Sequence, residues 1–395
     1  MKRRAAVSAI SVLLLLGTVA CEAGTVVHTA KRCTTKQVRS RDRHGKRIIR
    51  RVKSCRNVII GVTGPAHPGA SPAASRSGAR DPFTWPFAST SIWNTPIGSG
   101  AVYAPAGLTA FGFRPEPIGV YREDPSNPVW TIHRNNGVWP PQCTDTGQGP
   151  LPPATLRLPA TITLPNPDAN STIAVVGLNG KVYQFGEACV NNGSHDMYVT
   201  TSEHASTVAG APRLTDDGNL GMHAGGGISN FGGLIRNGEL EAAAPIRHAL
   251  ELNVWAKKLS NTNGGFRWPA IVADGYHDDG DIGYQGSNPQ LKMGSLLALP
   301  PGTTPESLGL STAFGRKVFH AMQDYGGYVG DDSGWDDVDV SVEDGVQGGL
   351  RALFTDSAEV RDMRAVVGAL SVVTNNGPGS IGGGGWPRTA FAPAV

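Results

Sequence analysis

Four short stretches of this 395-residue chain carry titratable side chains, and three of them set these beside glycines, a combination that lets a reactive group stand at the rim of a loop. The first is Met222-His-Ala-Gly-Gly-Gly-Ile-Ser-Asn-Phe-Gly-Gly-Leu-Ile-Arg. Its glycines at 225–227 can adopt left-handed backbone, approach a ligand closely and present His223. A tight turn with a surface histidine would read the same way. The second is Pro245-Ile-Arg-His-Ala-Leu-Glu-Leu-Asn-Val. With a period of two, Ile246, His248, Leu250, Leu252 and Val254 share one face, and Arg247, Glu251 and Asn253 the other. His248 is then an imidazole among aliphatic side chains, either a satisfied core histidine or a catalytic group. The opposite face offers a sugar-binding groove.

The third stretch, Trp268-Pro-Ala-Ile-Val-Ala-Asp-Gly-Tyr-His-Asp-Asp-Gly-Asp, gathers Asp274, Tyr276, His277, Asp278, Asp279 and Asp281. Such carboxylates supply a general base, or hold Ca²⁺ through hard oxygens, with Asp278, Asp279 and Asp281 the metal candidates. The fourth, Tyr325-Gly-Gly-Tyr-Val-Gly-Asp-Asp-Ser-Gly-Trp-Asp-Asp, opens a segment, 331–344, with seven acids and no base. It reads either as a solvated acidic loop or as one compensated by a cation or basic ligand. A glycosidase needs two carboxyls, here Asp274 with Asp331 or Asp332. A lyase would use His223 or His248 as base, Tyr328 as acid and Arg247 to neutralise a uronate. Trp93, Asn94, Tyr276 and Trp335 could stack on and bond to sugar rings, and Trp85 and Trp130 are similar loop aromatics. A Gly-x-Ser-x-Gly elbow, a Walker loop and a His-Glu-x-x-His helix are absent from the sequence, so a nucleotide role is discarded.

The elements that must position these groups are mostly strands. Runs at 172–176 and 181–185 flank Asn179-Gly180, a strong hairpin signal, and further strands are expected at 197–201, 246–255, 266–272 and 293–299. Phe314, Val318, Met322 and Tyr325 mark one amphipathic helix; Val360, Met363, Val367 and Leu370 mark another, with Ser357 as N-cap. The expectation is a mainly β body, an antiparallel sandwich of jelly-roll type with long loops.

Ahead of it the composition changes. Residues 1–20 read as an export signal: a basic start at Lys2 to Arg4, an apolar run from Ile10 to Leu16, then small residues. No later segment is apolar enough to span a bilayer. Cys21 would then lead the mature chain, as a candidate lipid anchor. Export implies an oxidising compartment and disulfides. Cys33 and Cys55 lie symmetrically about residue 44, which suggests a hairpin over 21–60 clamped at its open end, and leaves Cys143 to pair with Cys189.

Lys31 to Arg56 holds twelve Lys or Arg and one acid, whereas residues 81–395 hold 18 basic and 30 acidic residues, a net of −12. Residues 61–80, fifteen of them Gly, Ala, Pro or Ser, form the linker between the two. The basic hairpin would attract an anionic surface or cell-wall polymer, or simply keep itself soluble.

The matches Trp93 to Pro96, His223 to Ile235, Arg247 to Leu250, Trp268 to Ala270, Asp274-Gly275 and Tyr325 to Asp331 together resemble a family of secreted bacterial carbohydrate-associated proteins. The resemblance implies export and carbohydrate association, and no particular reaction. Together these readings favour an extracellular polysaccharide-active enzyme, a glycoside hydrolase or a lyase, tethered near the cell surface by the basic hairpin. The alternative is a noncatalytic glycan- or wall-binding protein. Either takes a polysaccharide partner.

Overall fold

The computed structural model describes residues 80–109, 112–135, 142–145, 153–165, 170–200, 211–222, 225–346 and 357–395, together with the backbone of three strands nearer the N-terminus. The chain divides into two compact units, residues 1–73 and 74–395. In the first, β1 (Leu16–Cys21), β2 (Thr25–Arg41) and β3 (Arg47–Thr63) form an antiparallel sheet. The β2–β3 register closes on Arg41 opposite Arg47 and sets Cys33 opposite Cys55. The side chains of this unit, residues 1–15 of the expected export signal and residues 64–79 of the expected linker lie outside the described residues.

The second unit carries twelve strands in one sheet: β4 (Tyr103–Pro105), β5 (Gly112–Arg122), β6 (Val129–Arg134), β7 (Thr155–Arg157), β8 (Ile173–Val176), β9 (Val182–Asn191), β10 (Asp196–Thr200), β11 (Leu250–Trp255), β12 (Leu296–Ala298), β13 (Gly327–Ser333), β14 (Asp337–Glu343) and β15 (Ser371–Val373). Their order is β4-β15-β12-β13-β11-β14-β5-β8-β9-β10-β6-β7. The pairing is mixed rather than purely antiparallel, because β6–β10, β11–β13, β5–β14 and β5–β8 run parallel. Parallel neighbours need long crossovers, so strands far apart in sequence lie side by side, an arrangement that hairpin reasoning does not reach.

Two helices, α1 (Ala313–Asp324) and α2 (Ala358–Ala369), cover one face. Thr312 caps α1 by accepting from Gly315 N at 2.9 Å, and Ser357 caps α2 by accepting from Val360 N at 3.3 Å. Val318 and Met322 of α1 and Met363, Val366 and Val367 of α2 meet Leu250, Leu252, Val338, Val340 and Phe113 of the sheet around a void of only about 10 Å³. Such packing leaves no room for a buried water. Each aliphatic side chain fully buried there contributes about 1.5–3 kcal/mol.

A second apolar cluster gathers Trp130, Ile132, Phe185, Met197 and Val199 from the other end of the sheet. Strand β8 serves both: Ala174 and Val176 belong to the helix-side core, Ile173 and Val175 to the second cluster. The Asn179-Gly180 turn joins β8 to β9 with Gly180 at φ +74°, and Cys143 is bonded to Cys189 of β9. That disulfide lies in the second unit and is no clamp on the basic hairpin. Three expected strands are shorter or missing. Residues 246–249 precede β11 as irregular chain, 293–299 keeps only Leu296–Ala298 as β12, and 266–272 are irregular, tied to the body by the Phe266–Met293 bridge and by Ile271 N donating to Gly226 O at 3.1 Å.

Candidate active site

Strand β13 ends in Asp331-Asp332-Ser333, and a regular strand would send successive carboxylates to opposite faces. The pairing of β11 with β13 contains a bulge, so that Leu252 faces Val329 but Asn253 faces Asp331. Bulges re-aim side chains. Both carboxylates meet Asp274 of the loop after Trp268, and one oxygen from each of Asp274, Asp331 and Asp332 lies within 4.8 Å of the others.

Backbone and phenols frame this trio. Asp331 is 2% exposed; its Oδ1 accepts from Gly225 N at 2.8 Å and Asp332 N at 2.9 Å, and its Oδ2 from Asn170 Nδ2 at 2.8 Å. Tyr276 donates to Asp332 Oδ1 at 2.8 Å, and Tyr284 donates to Asp274 Oδ2. Gly225 is required by close approach: a Cβ there would lie 2.5 Å from Asp331 Oδ1 and 2.7 Å from Asp274 Oδ2. The glycine run therefore admits the carboxylates themselves.

Burial, together with the neighbouring Asp274 charge and a hydrogen bond to its carboxyl, pushes the Asp332 pKa up to about 7. The Tyr276 and Tyr284 hydroxyls are raised by burial and by the same carboxylates, so both stay protonated donors. Asp332 is thus poised to exchange a proton near neutrality beside a carboxyl that shares it. Three carboxylate oxygens this close could also close around a Ca²⁺ ion, whose ligands sit about 2.3–2.6 Å from the metal.

A polar row runs from the trio across the sheet. Asp331 faces Asn253, Asn253 faces Asp339, and Asp339 faces Arg114. Three strand spacings separate its ends, roughly 14 Å. Asp339 is raised well above the usual carboxylate range, by burial first and then by Asp337, with Arg114 opposing. The Arg114 guanidinium lies 4.5 Å from the ring centroid of Trp335, which is 59% exposed. Tyr276, 38% exposed and bonded to Asp332, is thus an aromatic surface beside the trio, whereas Trp335 stacks on Arg114 at the far end of the row.

His248 and Tyr328 do not join this group. Leu250 pairs with Gly327 at the start of the parallel β11–β13 ladder, while Asp331 and Asp332 lie near its end. Asp332 lies five residues along β13 from Gly327, roughly 16 Å at strand rise, and His248 lies in the irregular chain before that end of the ladder. Tyr328 is 1% exposed, its hydroxyl raised by burial, and its ring packs edge-on against Trp93 at 5.7 Å. A buried phenol of this kind cannot meet a polysaccharide. His223 lies outside the described residues.

Other expected sugar contacts turn inward. Trp93 is fully buried, its Nε1 donating to Gly218 O at 2.8 Å, and its ring leaves no space for a Cβ at Gly232 or Gly233. Asn94 is equally buried, accepting from Trp85 Nε1 at 2.8 Å and donating to Pro86 O at 2.7 Å. Trp130 lies in the second core. Glu251 accepts from Ser341 Oγ, and Asn253 donates to Glu116; both lie beneath the surface and line no open groove. Asp278, Asp279 and Asp281 are exposed, with Asp279 Oδ1 accepting from Asp281 N at 2.8 Å and Ile282 N at 3.1 Å. Among the described residues the clustered donor set is Asp274, Asp331 and Asp332 instead.

Sequence reasoning missed Tyr284, Asn170 and the Arg114–Asp339 pair. Tyr284 carried one usable signal, a second tyrosine eight residues beyond Tyr276 in the same acidic loop; Asn170 and Arg114 carried none. No protein-family model matches the chain, nor does any curated protein or solved structure.

Proposed function

We propose that the protein is an extracellular polysaccharide-active enzyme of the hydrolase kind, with Asp332 as proton donor and Asp274 as its partner carboxylate. The observation that carries this reading is the cluster of three carboxyls, one oxygen of each within 4.8 Å of the others, where burial and Asp274 push Asp332 up to about 7. The trio's oxygens, within 4.8 Å of one another, lie closer than the carboxyl separation of about 5–5.5 Å in retaining glycosidases and much closer than the inverting one, so a substrate would have to part Asp274 and Asp332. Asp331, held by three N–H donors, orients the pair, and the two tyrosines keep the carboxyls aimed. Exposed Trp335 and Tyr276 offer apolar faces for sugar rings.

Of the groups a lyase would use, Tyr328 is buried in the core and His248 lies beyond the far end of the ladder, while His223 is outside the described residues; the clustered carboxyls are what favour hydrolysis. The Cys143–Cys189 bond fits an oxidising compartment, and no helix among the described residues is long and apolar enough to cross a membrane. On this reading the basic segment 31–56 holds the enzyme against an anionic surface.

The test is a panel of neutral and acidic polysaccharides, followed by both new reducing ends and ultraviolet absorbance of unsaturated uronates. Reducing ends without that absorbance are expected, with a loss of roughly 10²-fold or more in Asp332→Asn. Unsaturated products, or equal turnover in Asp332→Asn, would overturn the assignment.

A further inference from the structure

We propose that the cavity beside His248 is a second ligand site, built for the oxyanion of a small molecule, a carboxylate or a phosphate. The cavity holds about 210 Å³ and is walled by Trp85, Arg236, Glu239, Arg247 and His248. That is below the range of about 300–1,000 Å³ for drug-sized ligands, so its occupant is no larger than about one sugar residue.

Its charge is fixed by hydrogen bonding. His248 Nδ1 faces the Ala249 carbonyl at 2.9 Å and Nε2 faces Glu239 Oε2 at 3.1 Å. Both partners only accept, so both ring nitrogens donate and the imidazole is a cation. Arg236 is 3% exposed; its Nε bonds Glu343 Oε2 at 3.0 Å and its Nη1 bonds Phe83 O at 2.5 Å, while its Nη2 is buried without an acceptor. Arg247 lies 5.5 Å from the Trp85 ring and has no carboxylate partner among the described residues. Of the four cations here, Arg236 and His248 are matched by Glu343 and Glu239 and Lys317 Nζ is held by backbone carbonyls, which leaves Arg247 as the uncompensated charge.

The site is also held in shape. Glu239 Oε2 accepts from Arg236 N at 2.7 Å, and Lys317 Nζ bonds the carbonyls of Glu239 at 2.7 Å and Leu240 at 3.2 Å. The flat Arg247 guanidinium against the Trp85 indole, on a rim fixed by hydrogen bonds, is what a planar or tetrahedral oxyanion needs. The proposal is independent of the polysaccharide reading, because the carboxylate trio lies at the other end of the β11–β13 ladder.

The test is calorimetric titration of the full chain with glucuronate, inorganic phosphate and glucose, using wild type, Asp332→Asn, Arg247→Gln and Arg247→Lys. Wild type and Asp332→Asn are expected to bind at least one anion and not glucose, with Arg247→Gln weaker by tenfold or more. Arg247→Lys, which keeps the charge but not the fork, should fall between. Tighter glucuronate than phosphate would mark a sugar acid as the source, and the reverse a phosphate group. Equal binding of glucose and glucuronate, undiminished binding in Arg247→Gln, or no binding of either anion at millimolar concentration would overturn the proposal.

Discussion

The Tyr276 hydroxyl donates a 2.8 Å hydrogen bond to Asp332 Oδ1, on the same carboxyl that burial and Asp274 drive towards protonation. A phenol donating to a carboxylate favours its ionised form, so this bond opposes the upward shift of Asp332. Removing it in Tyr276→Phe should move the Asp332 titration further above about 7. Carbon-13 NMR of the aspartate carboxyls reads this without a substrate, and an unchanged or lowered midpoint would contradict it.

Asp332 also sets a pH dependence of stability. Its folded pKa, about 7, is raised from 3.8, so the folded chain holds that proton more tightly than the unfolded one. The resulting stabilisation is full below about pH 4 and is lost as pH rises through about 7. An amide mimics the protonated state. Asp332→Asn should therefore raise Tm by roughly 2 °C or more at pH 8, with little change at pH 4, in calorimetric scans. A lower Tm at pH 8 would show that the carboxylate is not crowded.

Gly225→Ala should damage the site more than the fold. Its Cβ would press on Asp331 Oδ1 at 2.5 Å and Asp274 Oδ2 at 2.7 Å, whereas a Cβ at Gly275 meets nothing within 4 Å. Activity should fall by about 10²-fold in the first variant and stay within a few-fold in Gly275→Ala. Equal activities would show that the carboxylates can yield.

The His248–Glu239 pair gives a second stability window. His248 is raised because Glu239 and the Ala249 carbonyl outweigh burial and the Arg236 charge; Glu239 is lowered because His248 and Arg236 outweigh burial. The histidine contribution is lost as pH rises through its raised value above 6.5, and the glutamate contribution as pH falls below 4.5. The Tm gap between wild type and His248→Gln should thus be widest near pH 5.5 and narrower near pH 8.5. A gap independent of pH would mean that packing alone is at stake.

For the basic segment, deleting residues 31–56 should abolish salt-sensitive retention on an anionic matrix, since exposed charges act only over about a Debye length. Unchanged retention would remove the attachment role.

What could be read in advance was local. The Asn179-Gly180 turn and the Ser357 cap depend on neighbours a few residues away, and both formed where their residue types demanded. The three site aspartates stood out because acids crowded beside glycines are costly unless they act together. The placement of His248 was not legible, since it depends on where β11 begins and on its parallel register with β13, about 75 residues further along the chain. Nor was the burial of Trp93, which follows from Gly232 and Gly233 lying against its ring. A tryptophan in a turn-rich segment advertises a binding platform equally well until its partner is known.

Strand β8 gives Ala174 and Val176 to one apolar cluster and Ile173 and Val175 to the other. Neither cluster can come apart without stripping a wall from its neighbour. The 74–395 unit should therefore melt as one cooperative body, with amide exchange across β5, β8 and β9 slowed to the same limit. A chain cut on either side of β8 would leave both fragments with an open core, and neither would be a smaller working protein.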